Sequence, residues 1–144
     1  MHNINIQIQK LNPLAITPTY AHPGDAGLDM YASEAMMIPA GARASVATGI
    51  SMAIPVGYVG LMWDKSGLAH TNGLATLAGV IDAGYRGEIS IIILNTSNQN
   101  YTVAVGSKIA QLLIQPVHQV ELQEVESLDN TSRGHGGFGS TGLT

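Results

Sequence analysis

The sequence contains no cysteine and only one phenylalanine, and it carries few positive charges. The absence of cysteine excludes disulfide bonds, thiolate catalysis and cysteine-ligated metals. The 6 lysine and arginine residues against 10 aspartate and glutamate residues give a net charge of −4, so we expect no polymeric nucleic acid as a partner. Neither a signal peptide nor an apolar run of membrane-spanning length is evident, which predicts a cytoplasmic protein with no membrane partner.

The apolar residues that are present fall in many short segments. Hydrophobic residues make up 45% of the 144 residues and charged residues only 11%, so much surface must be hidden by a compact β fold or by subunit contacts. Alternating or β-branched runs, separated by glycine, proline and asparagine, predict strands at residues 3–9, 45–54, 58–63, 88–95, 101–105 and 108–117. We therefore expect an all-β sandwich or jelly-roll barrel with at most one short helix, near Ser66–His70.

The single phenylalanine, Phe138, lies in the glycine-rich segment RGHGGFGSTG at residues 133–142. Glycine gives the backbone freedom, an aromatic ring stacks on a base, and the guanidinium of Arg133 forks onto phosphate. With the hydroxyl groups of Ser140 and Thr141, the segment has the groups needed to close over a planar, anionic ligand. The alternative interpretation is a flexible tail.

The arrangement of the C-terminal third suggests a division of the chain. We predict a β domain at residues 1–132 and a flexible closing arm at residues 133–144, with the polar, acidic stretch 121–132 as the connector. Because a terminal arm can reach a neighbouring subunit, a homo-oligomer with sites at its interfaces is the expected assembly.

The segment HPGDAGLDMYA at residues 22–32 places two aspartates, Asp25 and Asp29, among turn-forming residues. One interpretation is an Asx-type turn that leads into a strand. The other is that Asp29 accepts hydrogen bonds from the water molecules around a Mg²⁺ ion.

The segment WDKSGLAH at residues 63–70 places Lys65 and Ser66 before Gly67 at the expected helix start. A helix start presents free N–H groups, so Lys65 and Ser66 are candidates to hold phosphate. Ser66 is equally well placed to be the helix N-cap, and the two roles are compatible.

The segment AGVIDAGYRGEI at residues 78–89 predicts a β-hairpin, because two apolar runs flank a compact turn. Asp82 either supports that turn or orients a water molecule as a general base. Tyr85 has a flat ring that suits packing on a sugar or a base, and the hairpin backbone offers groups that read the edge of a pyrimidine.

The segment GSKIAQLLI at residues 106–114 predicts a strand with one polar residue, Gln111, in an apolar run. Gln111 either faces solvent or binds phosphate through its side chain or backbone, because a buried amide needs a partner. The five histidines show no metal-ligand spacing, which argues against a transition-metal site.

In combination and order, these segments resemble the five signature motifs of the dUTP pyrophosphatase (dUTPase) family, and the resemblance covers essentially the whole chain. The segments are AGLDMYA (26–32), DKSGLA (64–69), GVIDAGYRGEI (79–89), GSKIAQLLI (106–114) and RGHGGFGSTG (133–142). The resemblance implies a homotrimeric jelly-roll enzyme that hydrolyses dUTP to dUMP and pyrophosphate with Mg²⁺, at sites shared between subunits.

The resemblance also implies a role for each site residue. Asp82 would activate the attacking water, Asp29 would support the hydrated Mg²⁺, and Tyr85 would pack under the deoxyribose. The remaining positions would bind substrate: Gly79, Val80 and Ile81 at uracil, Lys65, Ser66, Gly67 and Gln111 at the phosphates, and Arg133, Phe138, Gly139, Ser140 and Thr141 in the closing arm, with the Phe138 ring stacked on uracil.

Two positions depart from the family's commoner pattern. Lys65 stands where arginine is usual, which keeps the charge but loses the bidentate fork. Thr76, which the resemblance also implies as a substrate-binding residue, stands where some members carry asparagine, so uracil recognition would depend more on backbone groups.

The sequence leaves three rival functions. These are a dCTP deaminase of the same fold family, a non-catalytic dUTP sensor, and a structural β-domain oligomer. A deaminase needs a glutamate placed at the base, and the retained Asp82 argues against a sensor.

Overall fold

A computed structural model of the chain describes residues 4–142, in which eleven strands and one short helix form. Residues 1–3 of the predicted domain and residues 143–144 of the predicted arm lie outside this range. The elements are β1 (Gln7–Lys10), β2 (Leu28–Tyr31), β3 (Met36–Ile38), β4 (Arg43–Ala47), β5 (Ile50–Ala53), β6 (Tyr58–Trp63), α1 (Ser66–Asn72), β7 (Leu74–Leu77), β8 (Val80–Ile81), β9 (Ser90–Asn95), β10 (Tyr101–Val103) and β11 (Lys108–Pro116). No helix in this part of the chain has the length and apolar character needed to cross a membrane.

The strands pair antiparallel in a jelly-roll arrangement, which confirms the predicted all-β class. One sheet has the order β2-β11-β6-β8 and a second has the order β4-β9-β7, while β1 pairs with β5 and β3 with β10. The connections between neighbouring strands therefore cross repeatedly from one sheet to another. This topology places the first and fourth motif segments side by side, because β2 pairs with β11.

The core lies between the sheets and consists of aliphatic side chains. On β9, Ile91 and Ile93 are 2% and 1% exposed and alternate with partly or fully exposed neighbours, as a strand with one buried face requires. Burial of each such side chain stabilises the fold by about 1.5–3 kcal/mol. Asn95 continues the same face and is fully buried, but its Nδ2 donates to the carbonyl oxygens of Ile38 and Gln99, so its burial costs little.

The helix α1 forms where the sequence predicts it, with a different N-cap. Lys65 occupies the N-cap position in an extended conformation, without a side-chain capping bond, and Ser66 is the first helical residue. The prediction of Ser66 as the N-cap is therefore wrong. The helix ends at Gly73, which has a φ of 66° and donates its N–H to the carbonyl of Ala69.

The predicted β-hairpin at residues 78–89 does not form. β8 pairs with β6, through Gly60 opposite Ile81, whereas β9 pairs with β4 and β7 in the other sheet. Residues 82–89 are instead a loop that crosses between the two sheets, and we call this segment the Asp82 loop. Two apolar runs around a tight turn look the same in sequence whether they pair with each other or with distant strands.

The first strand also differs from the prediction of a half-buried strand at residues 3–9. It begins at Gln7, and all four residues of β1 are exposed because β1 pairs only with β5 at the edge of the fold. Residue 3 lies outside the described part of the chain.

Candidate active site

Three charged residues from separate motifs meet at one end of the β2-β11-β6-β8 sheet. Asp29 on β2 is 4% exposed, and its Oδ1 accepts a hydrogen bond of 2.5 Å from Lys65 Nζ. Lys108 Nζ, at the start of β11, lies 2.7 Å from Oδ2 of the same carboxylate. This second contact is an ion pair at hydrogen-bonding distance.

The two ammonium groups keep Asp29 charged. Burial acts to raise the pKa of Asp29, but the ammonium groups of Lys108 and Lys65 outweigh it, and the pKa lies below its ordinary value of 3.8. The reciprocal interaction with Asp29 raises the pKa of Lys108 above its ordinary value. The cluster therefore holds a carboxylate and two cations at neutral pH.

Gln111 lies beside this cluster, directly opposite Asp29 across the β2–β11 ladder. Its Nε2 donates to the backbone carbonyl of Asp64 at 2.8 Å. The side chain packs so closely on Gly27 that an added Cβ there would lie 2.2 Å from Gln111 Oε1. The half-buried amide therefore has a partner, and Gly27 is required by close approach rather than by an unusual backbone angle.

Asp64 connects this end of the sheet to the neighbouring strand β7. Its Oδ1 accepts hydrogen bonds from both the backbone N–H of Thr76, at 2.5 Å, and the hydroxyl of Thr76, at 2.7 Å. The hydroxyl of Thr76 therefore serves a protein partner in this chain. The role of Asp64 is not evident from the sequence, which shows only that it begins the motif DKSGLA between a strand and a helix start.

A cavity of about 230 Å³ lies between β8 and β9. Its lining includes the predicted uracil-binding residues Gly79, Val80 and Ile81, the predicted base Asp82, and Tyr85. The hydroxyl of Tyr85 donates to the carbonyl of Glu88 at 2.8 Å, which fixes the ring across the Asp82 loop.

Arg86 and Glu88 stiffen the Asp82 loop, although the sequence assigned neither of them a role at the site. Arg86 donates from one guanidinium nitrogen to the carbonyl oxygens of Ala83 and Tyr85, at 2.7 and 2.9 Å. Glu88 Oε1 accepts the backbone N–H of Gly49 at 2.8 Å. The loop that carries Asp82 is therefore held by side chains at both of its ends.

The arm residues lie apart from these groups. Phe138 is fully exposed, with a φ of 48°, and Arg133 Nε donates to the carbonyl of Gly136 within the arm itself. No residue of 133–142 lines the cavity beside Asp82. The chain thus brings Asp29, Lys65 and Gln111 together and groups residues 79–82 and Tyr85 around the cavity. It leaves the remaining predicted residues apart: Ser66 and Gly67 are exposed at the start of α1, and Arg133, Phe138, Gly139, Ser140 and Thr141 are in the arm.

The described residues offer no complete set of protein ligands for a metal ion. Residues 4–142 contain no group of three or more His, Asp or Glu side chains placed to hold one. Mg²⁺, however, keeps several waters and is commonly held by one or two carboxylates together with substrate phosphates. Asp29 and Gln111 present oxygen-bearing side chains from facing positions of adjacent strands. Because both oxygens of Asp29 already contact lysine ammonium groups, this donor set fits Mg²⁺ only as a hydrated ion that arrives with a phosphorylated ligand.

The fold and the site together define a class, namely a jelly-roll protein with a candidate site for a small anionic ligand. The profile of the dUTPase family matches residues 14–142. A deoxyuridine 5'-triphosphate nucleotidohydrolase from Syntrophotalea carbinolica is 46% identical over 147 residues, covering 99% of this chain and 100% of the relative. The chain belongs to the dUTPase family.

Two solved structures of dUTPases have folds similar to that of this chain. A mutant dUTPase of Staphylococcus bacteriophage 80alpha, described with dUpNHpp, superposes with a TM-score of 0.92 at 30% identity, covering 98% of this chain and 100% of the phage chain. A mutant dUTPase from phage phi11 of S. aureus superposes with a TM-score of 0.81 at 29% identity, covering 86% and 98% of the two chains. It is described as revealing the coordination of a structural Mg(II) ion.

Proposed function

We propose that this protein hydrolyses dUTP to dUMP and pyrophosphate. The observation that carries the proposal is the short length of chain between the cavity beside Asp82 and the charge cluster formed by Asp29, Lys65 and Lys108. Met62 lines the cavity beside Asp82, and Lys65 of the charge cluster follows three residues later. Three residues span at most about 10 Å, which suits a nucleotide with its base in the cavity and its phosphates at the cluster.

In the proposed mechanism the Asp82 loop and the strand before it bind the nucleoside. Backbone groups of Gly79, Val80 and Ile81 contact uracil, and the narrow cavity excludes the methyl group of thymine. The ring of Tyr85 packs on the deoxyribose and excludes a 2′-hydroxyl group. Asp82 takes a proton from the water that attacks the α-phosphorus, in line with the departing pyrophosphate.

The charge cluster serves the triphosphate in this proposal. Lys65, Ser66, Gly67 and Gln111 position the phosphates, and Asp29 holds Mg²⁺ through bound water. When bound, Mg²⁺ neutralises negative charge on the phosphate oxygens. Asp29 stays ionised between two lysines, so its carboxylate keeps at neutral pH the negative charge that this role requires.

The arm completes the site from a neighbouring chain. We place Phe138 over uracil and Arg133 at the phosphates of another subunit in a homotrimer, with Gly139, Ser140 and Thr141 as further contacts. The support is the exposure of the arm and of its connector, which includes Leu122 at 89% and Leu128 at 85% exposed. Apolar side chains so exposed in a single chain favour burial against a partner.

The test is pyrophosphate release in the presence of Mg²⁺ from dUTP, dCTP, dTTP and UTP, with ammonia measured in the dCTP reaction. Release from dUTP alone is the expected result. Ammonia from dCTP would overturn the proposal in favour of a deaminase. Binding of dUTP without release would indicate a sensor, and no binding at all a structural role. Glu88 argues against the deaminase, since its carboxylate already accepts the N–H of Gly49.

A further inference from the structure

Asp64 belongs to none of the residue groups described above as binding base, sugar or phosphate, yet it accepts hydrogen bonds from both Thr76 and Gln111. It is one of two residues that connect β6 to α1, and its side chain reaches the edge strand β7. There its Oδ1 accepts both hydrogen bonds that Thr76 can donate, one from the backbone and one from the hydroxyl. Its backbone carbonyl accepts Nε2 of Gln111 from β11.

Two residues beyond Thr76 the backbone is strained. Ala78 has a φ of 60°, a left-handed conformation that residues with a side chain rarely adopt, and Gly79 follows with a φ of 104°. Such conformations persist only where neighbouring contacts hold them, and they cluster at functional sites. Both residues line the cavity beside Asp82.

The strained pair is held from two sides. On the far side, the N–H of Met62 donates to the carbonyl of Gly79 at 2.8 Å, and an added Cβ at Gly79 would lie 2.9 Å from Met62 Cβ. On the near side, Asp64 holds Thr76. Because no strand within residues 4–142 pairs with the outer edge of β7, the Asp64 carboxylate supplies the hydrogen-bond acceptor that a neighbouring strand would otherwise provide.

We propose that Asp64 is a positioning residue that holds the strained Ala78–Gly79 segment through Thr76 and so sets the shape of the nucleoside cavity. Asp64 touches no reacting atom in this account. Through its carbonyl and Gln111 it also couples the cavity to the charge cluster. The inference rests on the proposed function only in taking this cavity as the pocket for the base.

The first test is hydrogen exchange in the free protein. Asp64→Ala removes the acceptor and the charge, whereas the matched control Asp64→Asn removes the charge and keeps an oxygen acceptor. We expect the amides of residues 76–80 to exchange at least about tenfold faster in Asp64→Ala than in Asp64→Asn, because local opening follows the loss of the hydrogen bonds that oppose it. Equal exchange in the two variants would overturn the inference.

The second test is kinetic. Asp64→Ala should raise KM for dUTP about tenfold, with kcat changed less than about threefold, since the pocket and not the chemical step is altered. Asp64→Asn should raise KM less. If charge near the phosphates were the cause, both variants would change KM equally, and this result would contradict the inference.

The third test is rescue. Glycine adopts a positive φ without a steric penalty, so Ala78→Gly should relieve the strain that Asp64 opposes. We expect Asp64→Ala combined with Ala78→Gly to recover KM to within about threefold of the parent. Failure to recover would contradict the role assigned to the strain.

A milder pair of variants covers the case in which Asp64→Ala does not fold. Thr76→Val removes one of the two hydrogen bonds, and Thr76→Ser keeps both donors. Faster exchange at residues 78–80 in Thr76→Val than in Thr76→Ser supports the inference, and equal exchange overturns it. If exchange accelerates in these variants while KM for dUTP stays constant, the positioning role holds and the placement of uracil in this cavity is wrong.

Discussion

The cavity region and the C-terminal arm differ in how their own chain holds them. Around the cavity, carboxylate, amide and guanidinium groups each find partners within the chain: Asp64 holds Thr76, and Arg86 holds the Asp82 loop. In the arm, the side-chain contact of Arg133 is to the arm's own backbone, and Phe138 has no packing surface among the described residues.

This difference indicates that one chain supplies the cavity and the charge cluster, and that another chain supplies the arm. The cavity and the charge cluster are formed by contacts within one chain, as a preorganised site requires. The arm carries the aromatic ring and the guanidinium that a nucleotide site needs, but it is not folded onto its own cavity. A second chain is therefore the expected recipient of the arm. The predictions below test this contrast in order of expected effect.

Removal of the arm should have the largest effect. A chain that ends at Ser132 loses both the stacking of Phe138 and the cation of Arg133, so we expect kcat/KM for dUTP to fall about a thousandfold. The oligomer and its thermal unfolding should be preserved, because residues 133–142 contribute no buried apolar side chain. Light scattering and calorimetry check this control. A collapsed oligomer would instead make the arm structural, and undiminished turnover would remove it from the site.

Asp82→Asn should have the next largest effect. It removes the base but keeps the size of the side chain, so turnover should fall about a hundredfold or more while a non-hydrolysable imido analogue of dUTP still binds. Calorimetric titration with the analogue and pyrophosphate release separate the two quantities. The matched control is Asp25→Asn, which changes a turn carboxylate that accepts the N–H of His22. Near-normal turnover in Asp82→Asn would exclude Asp82 as the base.

Gly27→Ala should reduce stability by an intermediate amount. The added methyl group would lie 2.2 Å from Gln111 Oε1 and 3.0 Å from its Cβ, so Gln111 must move and lose its bond to Asp64. We expect a loss of about 1–2 kcal/mol, which lowers the melting temperature by about 3–6 °C. Gly84→Ala, where the new methyl group meets open space, is the control. Equal melting temperatures for the two variants would show that Gln111 is not held as described.

The charge cluster should give the smallest effect on the free energy of unfolding, and the effect should depend on pH mainly in acid. Because Lys108 and Lys65 hold the pKa of Asp29 below 3.8, the ion pairs stabilise the fold above that pH, and their contribution is lost as the pH falls through the lowered pKa. Asp29→Asn should cost about 1 kcal/mol at neutral pH, since both ammonium groups remain free to turn into water. Urea unfolding between about pH 3 and 6 measures the difference. An unchanged pH dependence in Asp29→Asn would contradict the assignment.

The sequence predicts secondary structure best where the local residue pattern alone determines the element. The runs at 58–63 and 108–117 predict β6 and β11, because several β-branched or alternating residues in each agree on one buried face. The short helix predicted near Ser66–His70 forms, and Gly73 follows its last residue. The motif series predicts the family, which the comparisons confirm.

The remaining errors come from contacts between distant residues. The hairpin prediction at 78–89 is wrong because strand pairing depends on the whole sheet. β8 pairs with the earlier strand β6, and β9, the next strand along the chain, pairs with β7 in the other sheet. The Lys108–Asp29 pair depends on an irregular register between Lys108 and Ala110, which no local pattern reveals. The roles of individual site residues, including Asp82 and the arm, stay predictions until the variants above are measured.

One measurement tests the central claim most directly. The measurement uses two variants: a full-length chain with Asp82→Asn, and an otherwise native chain that ends at Ser132. Each variant alone is expected to be nearly inactive. The two are refolded together in equal amounts, and dUTP turnover is measured. If the arm completes the site of another chain, a truncated chain supplies Asp82 and a full-length chain supplies the arm. About a quarter of the sites are then intact, and about a quarter of the parental dUTP turnover should return. If the mixture stays as inactive as its parts although mixed oligomers form, the arm serves its own chain and the account is contradicted.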